Sequence, residues 1–132
     1  ISVSILEKER GANNVEILSI IGAPVDGKVC LINDDMMDTC GTIAEAAKAL
    51  YEYGAKQVIA TATHPIMSKK GGVTAYEKLA QAKLEVVVTD SLDAESHDWL
   101  TSLPLSQFLA HTILQHVIKN GSVSRLIEEG ID

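Results

Sequence analysis

Three short apolar runs most constrain what this chain can fold into. They are Val29–Ile32, Gln57–Thr63 and Leu84–Thr89, and segments with helical spacing lie between them. A strand that reads as a continuous apolar run is typical of a parallel sheet, whose two faces are covered by helices. The order strand, helix, strand, helix, strand is that of a βαβ protein. We therefore predict an α/β fold with a mainly parallel sheet flanked by helices, and we expect Val29–Ile32 to be buried on both faces.

Other segments of the chain have weaker but readable patterns. Thr42–Tyr53 places apolar residues at helical spacing and is followed by Gly54, which is typical of a helix end. The remaining predictions are strands at Ser2–Leu6 and Val15–Ile21, loops at Glu7–Asn14 and Pro65–Gly72, and helices at Thr74–Gln81, Leu105–Val117 and Val123–Glu129. At 132 residues the chain is long enough for one hydrophobic core, so we predict a single domain over residues 1–132.

Charge and composition exclude several classes of function. The chain has 11 Lys and Arg residues against 18 Asp and Glu, a net charge of −7 that opposes broad nucleic-acid binding. No apolar run approaches the roughly 20 residues of a membrane span. Cys30 and Cys40 have no histidine partner at a metal-type spacing, so we expect a reduced, cytoplasmic protein. The first residue is Ile1 rather than Met, which hints at a piece of a longer chain.

The segment after the first apolar run carries the chemistry. Asp34 and Asp35 follow that run, and the phosphate loop, which we define as Asp38–Thr42, then leads into a helix. The free backbone N–H groups of Thr39–Thr42, the two hydroxyls of that turn and the positive helix end suit a phosphate. Two carboxylates beside a phosphate are expected to face sugar hydroxyls or Mg²⁺ instead. The pattern predicts a ribose 5-phosphate site; the alternative is a solvated turn in which Thr39 is an ordinary N-cap.

The same segment resembles a known signature. Leu31–Thr42 is similar to the phosphoribosyl-binding motif of the ribose-phosphate pyrophosphokinases, a hydrophobic strand followed by DDMxDTxGT. Glu7–Arg10 resembles the KxR-bearing catalytic loop of that family. Further similar segments, in chain order, are Tyr53–Lys56 with Ala62–His64, Glu85–Asp90, and Leu109–Ala110 with Asn120–Ser124. The resemblance covers nearly the whole chain and implies a fold like that of the type I phosphoribosyltransferases.

The resemblance also implies a reaction and roles for particular residues. The reaction is transfer of the diphosphoryl group of ATP to ribose 5-phosphate with Mg²⁺, which gives phosphoribosyl diphosphate. Lys8 and Arg10 would close over the ATP phosphates as catalytic residues, consistent with the need to neutralise charge in phosphoryl transfer. Asp34 and Asp35 would hold the ribose hydroxyls and the metal. The residues implied to bind the 5-phosphate are Asp38, Thr39, Cys40, Gly41 and Thr42.

Family members are longer, two-domain enzymes, and this difference shapes the expected partners. The resemblance implies that the chain is a carboxy-terminal part, that an amino-terminal domain supplies much of the ATP site, and that the enzyme is a homo-oligomer. The chain alone is then expected to be inactive. Two other functions stay open: a phosphoribosyltransferase, and a non-catalytic regulatory subunit of such a synthase. Asn33 and Lys69–Gly72 depart from the usual family pattern.

Three further features have open roles. His64 ends a predicted strand on the same edge as Asp34, where it either lines the site or caps a neighbouring carbonyl. Lys69 and Lys70 are interpreted as a solvated turn, with attraction of an anion as the alternative. Cys40 lies at a predicted helix start, where we expect a lowered thiol pKa, although it is interpreted as a member of the phosphate loop and not as a nucleophile.

Overall fold

The structure of the protein is a computed structural model, which describes residues 2–10 and 15–114. Residues 8–10 and 15–19 are described by their backbone alone. The chain divides into two compact units, Ile1–Ser102 and Leu103–Asp132. The predicted helix at Val123–Glu129 and the end of the predicted helix at Leu105–Val117 lie outside the described residues.

Eight strands and three helices make up the described part of the chain. The first unit contains β1 (Ser4–Arg10), β2 (Val15–Gly22), β3 (Val29–Met37), α1 (Gly41–Glu52), β4 (Gln57–Pro65), β5 (Lys69–Lys70), β6 (Val73–Thr74), α2 (Ala75–Gln81) and β7 (Glu85–Thr89). They are followed by β8 (Leu100–Leu103) and, in the second unit, α3 (Ser106–Ile113). The main sheet has the strand order β3-β4-β7-β8, and β3, β4 and β7 are parallel. The predicted α/β class with a mainly parallel sheet flanked by helices is confirmed.

One face of the main sheet forms the core together with two helices. Alternate residues of β4 are buried, and Val86 and Val88 of β7 are buried beside them. The facing residues of α1 and α2 are apolar, and Leu79 of α2 is completely buried. The buried members of this core on α1, β4 and α2 are Ile43, Ala47, Leu50, Val58, Ala60, Ala62, Ala75 and Leu79. Small residues on β4 allow the helices to approach the sheet closely, because packing leaves few voids.

The expectation that Val29–Ile32 is buried on both faces is wrong. This run belongs to β3, which is the edge strand of the sheet and extends to Met37. Val29 is 56% exposed and Leu31 is 65% exposed, whereas Cys30 and Ile32 are partly buried against the core. In this unit one face of β3 therefore packs on the core while its alternate residues face outward. An apolar run alone cannot distinguish a covered face from an uncovered one.

The predicted loop at Glu7–Asn14 is also wrong in its first half. Residues Glu7–Arg10 continue β1, which pairs antiparallel with β2 and shifts register between Glu7 and Lys8. A two-stranded ribbon does not need to bury both of its faces, so charged residues do not prevent strand formation there. Leu6 and Ile20 connect the ribbon to the core, against which they are partly buried.

Two short features of the fold were not predicted from the sequence. β5 and β6 form a hairpin with two residues in each strand, which begins in the region predicted as the loop Pro65–Gly72. Its turn contains Gly71 at φ +64° and Gly72 at φ +85°. β8 adds a fourth strand to the main sheet. Both are too short, and too mixed in polarity, to show a strand period. No helix among the described residues is long and apolar enough to cross a membrane.

Reciprocal hydrogen bonds fix the start of α2. Thr74 Oγ1 accepts a hydrogen bond from the backbone N–H of Glu77 at 3.1 Å. The Thr74 N–H donates to the Glu77 carboxylate at 2.7 Å, and the Thr74 hydroxyl donates to the same oxygen at 3.0 Å. This capping box satisfies N–H groups that the first helical turn leaves without partners. The bonds from Thr74 lower the pKa of Glu77 below its ordinary value.

We predict that Thr74→Ala lowers the free energy of unfolding by about 1 kcal/mol, because the cap is lost. Urea denaturation at pH 7 measures the effect. Since the folded-state pKa of Glu77 is lowered, its contribution is present at neutral pH and is lost as the pH falls through that lowered value. Gln81→Ala, an exposed change at the other end of α2, is the control. Equal stability of Thr74→Ala and wild type would contradict the role of the cap.

Candidate functional site

The candidate site lies at the carboxyl end of β3, where the strand leads through a short turn into α1. The predicted substrate residues all belong to this one stretch, Asp34–Thr42. Asp34 and Asp35 are exposed and lie within β3, not after it. Successive residues of a strand point to opposite faces, so the two carboxylates do not share a face. The Asp35 N–H donates to Asp34 Oδ1 at 2.9 Å, which fixes the Asp34 carboxylate near its own backbone.

Cys40 occupies the position immediately before α1 in an unusual conformation. Its φ is +54° and its ψ is 11°, the left-handed region that non-glycine residues rarely adopt. It is the N-cap residue and makes no side-chain capping hydrogen bond to α1. The alternative interpretation, in which Thr39 is the N-cap, is therefore wrong. Strained backbone of this kind costs of order 1–3 kcal/mol and clusters at functional sites.

Three consecutive carbonyl groups of the turn accept hydrogen bonds from a later part of the chain. The N–H of Met67 donates to the Met37 carbonyl at 2.8 Å, and the N–H of Ser68 donates to the Asp38 carbonyl at 3.0 Å. Lys78 Nζ donates to the Thr39 carbonyl at 2.8 Å. The segment between β4 and α2, together with α2 itself, therefore holds the back of the turn.

These bonds determine where the backbone N–H groups of the turn point. The described peptide bonds are trans, so each N–H points opposite to the carbonyl of the same peptide unit. With the carbonyls of residues 37–39 turned toward the segment after β4, the N–H groups of residues 38–40 point away from it. Within the described chain, the N–H groups of residues 38–43 have no hydrogen-bond partner. This row of oriented donors at a helix start can bind an anion.

Burial raises the pKa of the Cys40 thiol to about 11, although the nearby Lys78 ammonium lowers it in part. The carboxylates of Asp38 and Asp34 raise it further, so both lie close enough to affect the sulfur. The expectation of a lowered pKa is therefore wrong, because desolvation outweighs the stabilisation of the thiolate by Lys78. Cys40 is a neutral thiol at pH 7, which supports its interpretation as a loop residue and not a nucleophile.

An open cleft of about 1340 Å³ borders the phosphate loop, with α1 on one side and β5, β6 and α2 on the other. Thr39, Gly41 and Thr42 line one end of it. The lysines that line the cleft are Lys48, Lys70, Lys78 and Lys83. Lys69 and Lys70 are exposed in the β5–β6 hairpin, as the interpretation of a solvated turn predicts.

His64 connects the ends of two neighbouring strands. Its Nδ1 lies 2.9 Å from Ser91 Oγ, and the Ser91 hydroxyl donates to the Thr63 carbonyl at 3.0 Å. Since the serine proton is used in that bond, the histidine Nδ1–H is the donor to Ser91. His64 thereby ties the end of β4 to the residues after β7, which is not the direct carbonyl cap of one interpretation.

The structure does not assemble a complete metal or catalytic site from the described residues. Among them, no three His, Cys, Asp or Glu side chains converge on one point. A single exposed carboxylate, of Asp34 or of Asp35, fits Mg²⁺, which commonly takes one or two protein carboxylates and keeps waters and substrate oxygens as its other ligands. Lys8 and Arg10 lie on β1, and their side chains are outside the described structure.

The residues that support the turn from behind could not be predicted from the sequence. Lys78, Met67 and Ser68 contact the turn across a long sequence separation, which is 39 residues for Lys78. No local pattern reports such a contact. The only available signal is the half-apolar helix pattern of Thr74–Gln81, which predicts the helix but not what a lysine on it contacts.

The fold defines an α/β protein with a parallel sheet and, where its edge strand leads into a helix, a row of backbone N–H groups that have no partner among the described residues. The chain belongs to the family described as the phosphoribosyl synthetase-associated domain, which matches residues 6–128. The resemblance seen in the sequence is thus confirmed at the level of the family.

Relatives and a solved structure point to the same group of enzymes. Ribose-phosphate pyrophosphokinase 1 of Listeria monocytogenes is 39% identical over 131 residues, which are 96% of this chain and 39% of that protein. The ribose-phosphate pyrophosphokinase of Ralstonia nicotianae is 39% identical over 98% of this chain and 41% of its own length. The crystal structure of phosphoribosylpyrophosphate synthetase from Mycobacterium smegmatis superposes with a TM-score of 0.68 at 36% identity, over 84% of this chain and 36% of that chain. The chain spans about two fifths of the length of these curated relatives.

We predict that Cys40 reacts slowly with iodoacetamide. At pH 8 its alkylation rate in a Cys30→Ala variant is expected to be about 100-fold below that of a free thiol, because little thiolate forms under a pKa of about 11. The rate is expected to rise about tenfold per pH unit until that pKa is approached. Mass spectrometry of the time course measures it, and the same protein in urea is the control. A plateau near pH 8 would contradict the raised pKa.

Proposed function

We propose that this chain carries the ribose 5-phosphate site of a ribose-phosphate pyrophosphokinase. The observation that carries the proposal is the row of N–H donors at residues 38–43, of which those of residues 38–40 face away from the hydrogen-bonded carbonyls of residues 37–39. A phosphate monoester is the anion that this row suits, because several donors can share its oxygens. The names of the relatives support the same function for the longer enzyme.

In this proposal the phosphate loop binds the 5-phosphate through its backbone. Gly41 and Thr42 start α1, so the positive end of the helix and their free N–H groups add to the donors of the turn. Gly41 has open space where a side chain would begin, which leaves room for a ligand close to its backbone. The hydroxyls of Thr39 and Thr42 are additional donors to phosphate oxygens.

Asp34 holds the sugar in this proposal. It lies on β3, the strand that leads through the loop into α1, at the edge where the proposed phosphate position lies. Its carboxylate accepts hydrogen bonds from ribose hydroxyls, while Asp35, on the other face of β3, contributes to a metal position reached from that side. Mg²⁺, when bound, neutralises charge on the transferred diphosphoryl group. We propose that Asp35 contributes a carboxylate ligand to it, because Asp34 lies on the other face of β3 and holds the sugar.

Binding of the phosphoryl donor, ATP, requires the longer enzyme in this proposal. We propose that this chain corresponds to its carboxy-terminal part, that ATP binds mainly to the amino-terminal domain, and that Lys8 and Arg10 close over the ATP phosphates. The two cations act differently, since a guanidinium grips two oxygens whereas an ammonium is a point charge. The backbone of β1 carries both residues. β1 pairs with β2 in a two-stranded sheet that is separate from the main sheet, which supports this proposal.

We predict that ribose 5-phosphate shifts the backbone amide NMR signals of residues 38–43 of this chain. Asp34→Asn is expected to weaken the affinity at least about tenfold, because a charged acceptor for the sugar hydroxyls is lost. Asp93→Asn changes the charge equally at an exposed position outside the site and is the matched control. Amide signals that do not respond to ribose 5-phosphate would contradict the proposed function.

We predict that Lys8→Ala in the full-length enzyme lowers kcat by at least about 100-fold, because a cation that stabilises the transition state is lost. The measurement is formation of phosphoribosyl diphosphate from ATP and ribose 5-phosphate with Mg²⁺. Lys56→Ala, an exposed lysine between α1 and β4, is the control. An unchanged rate in Lys8→Ala would remove Lys8 from the proposed mechanism.

A further inference from the structure

We propose that Lys78 is a positioning residue of the phosphate loop, because its hydrogen bond to Thr39 keeps the loop N–H groups facing the 5-phosphate. This inference rests on the proposed function and adds a residue that does not touch the substrate. The observation behind it is the bond from Lys78 Nζ to the Thr39 carbonyl, 2.8 Å long and partly buried.

Lys78 makes the one side-chain bond among the three that hold the described turn from behind. The other two donors are the backbone N–H groups of Met67 and Ser68. A backbone donor is present whatever residue occupies its position, so a substitution does not remove those bonds. A change at Lys78 does remove the third, and it leaves the Thr39 carbonyl without its partner.

The peptide unit that Lys78 holds joins Thr39 to Cys40, the N-cap residue of α1. Its carbonyl belongs to Thr39 and its N–H to Cys40, and a trans peptide points the two in opposite directions. Cys40 adopts the left-handed conformation at this point, so the orientation of this unit depends on support from its surroundings. When the carbonyl is released, the unit can rotate and turn the Cys40 N–H away from the anion.

The charge of Lys78 acts in the same direction as its hydrogen bond. Lys78 is half-buried and has no ion-pair partner in the part of the chain that the structure describes. Its field reaches Cys40, where it opposes the effect of Asp34 and Asp38 on the thiol. Lys83 lines the same cleft but makes no hydrogen bond to the turn. A substitution of Lys83 therefore removes a nearby charge without removing the bond.

The first test measures affinity in the 132-residue chain by NMR titration with ribose 5-phosphate and, separately, with inorganic phosphate. Lys78→Met is expected to weaken both affinities by the same factor of about ten, since only the shared phosphate position is affected. Lys78→Arg is expected to restore both to within about threefold, and Lys83→Met to change them by less than about threefold. Equal losses in Lys78→Met and Lys83→Met would overturn the proposal in favour of general charge attraction.

The second test uses the full-length enzyme. Lys78→Met is expected to raise the KM for ribose 5-phosphate about tenfold and to leave kcat and the KM for ATP within about threefold, because the chemical step does not involve Lys78. A fall in kcat with an unchanged KM for ribose 5-phosphate would overturn the proposal. A general loss of folding is recognised separately, since it lowers the fraction of active enzyme in every assay and is seen in the unfolding transition.

The third test needs no ligand and so separates this inference from the proposed function. Amide ¹⁵N relaxation is expected to show lower order parameters at Thr39 and Cys40 in Lys78→Met, with those of β4 unchanged. Unchanged order at both residues would overturn the positioning role. A wild-type chain that binds neither ribose 5-phosphate nor phosphate would instead overturn the proposed function, and the relaxation result would still decide whether Lys78 orders the turn.

Discussion

The parallel pairing of β3 with β4 is the constraint on which the rest of the site depends. Parallel neighbours cannot be joined by a tight turn, so the chain must leave β3, cross over the sheet and return. α1 is that crossover, and it packs Ile43, Ala47 and Leu50 into the core. The start of α1 is therefore held at the carboxyl end of β3, where free N–H groups of a helix and the end of a strand meet. Ligands in open α/β sheets bind at such edges.

The site could be predicted from the sequence to the extent that it is local. Asp34 and Thr39–Thr42 are close neighbours in the chain, and a strand followed by small polar residues and a helix brings them together without help from distant segments. The face on which each carboxylate lies could not be predicted, because it depends on how far β3 continues. β3 runs to Met37, since it stays paired with β4 up to Pro65, and this extension separates Asp34 from Asp35.

Strands that are buried against the helices could be predicted from the sequence, whereas strands with an exposed face could not be predicted correctly. β4 and β7 pack on the helices, and their apolar runs predicted them correctly. The same kind of run in β3 gave a wrong expectation, because a parallel edge strand can carry Val29 and Leu31 on an outward face in this unit. The β1–β2 ribbon shows the reverse case, in which backbone pairing makes a strand of Glu7–Arg10 despite its charges.

The attraction of the turn for an anion depends on the Cys40 thiol staying uncharged. Asp34 and Asp38 already place negative charge near Cys40, and a thiolate there would add to it and oppose an anion. Burial prevents this, because desolvation holds the Cys40 pKa at about 11 and the thiol stays neutral at physiological pH. The same burial lets surrounding contacts support the left-handed backbone of Cys40. Backbone N–H groups cannot lose their charge distribution by titration, so a donor row built on them keeps its attraction for an anion across the physiological pH range.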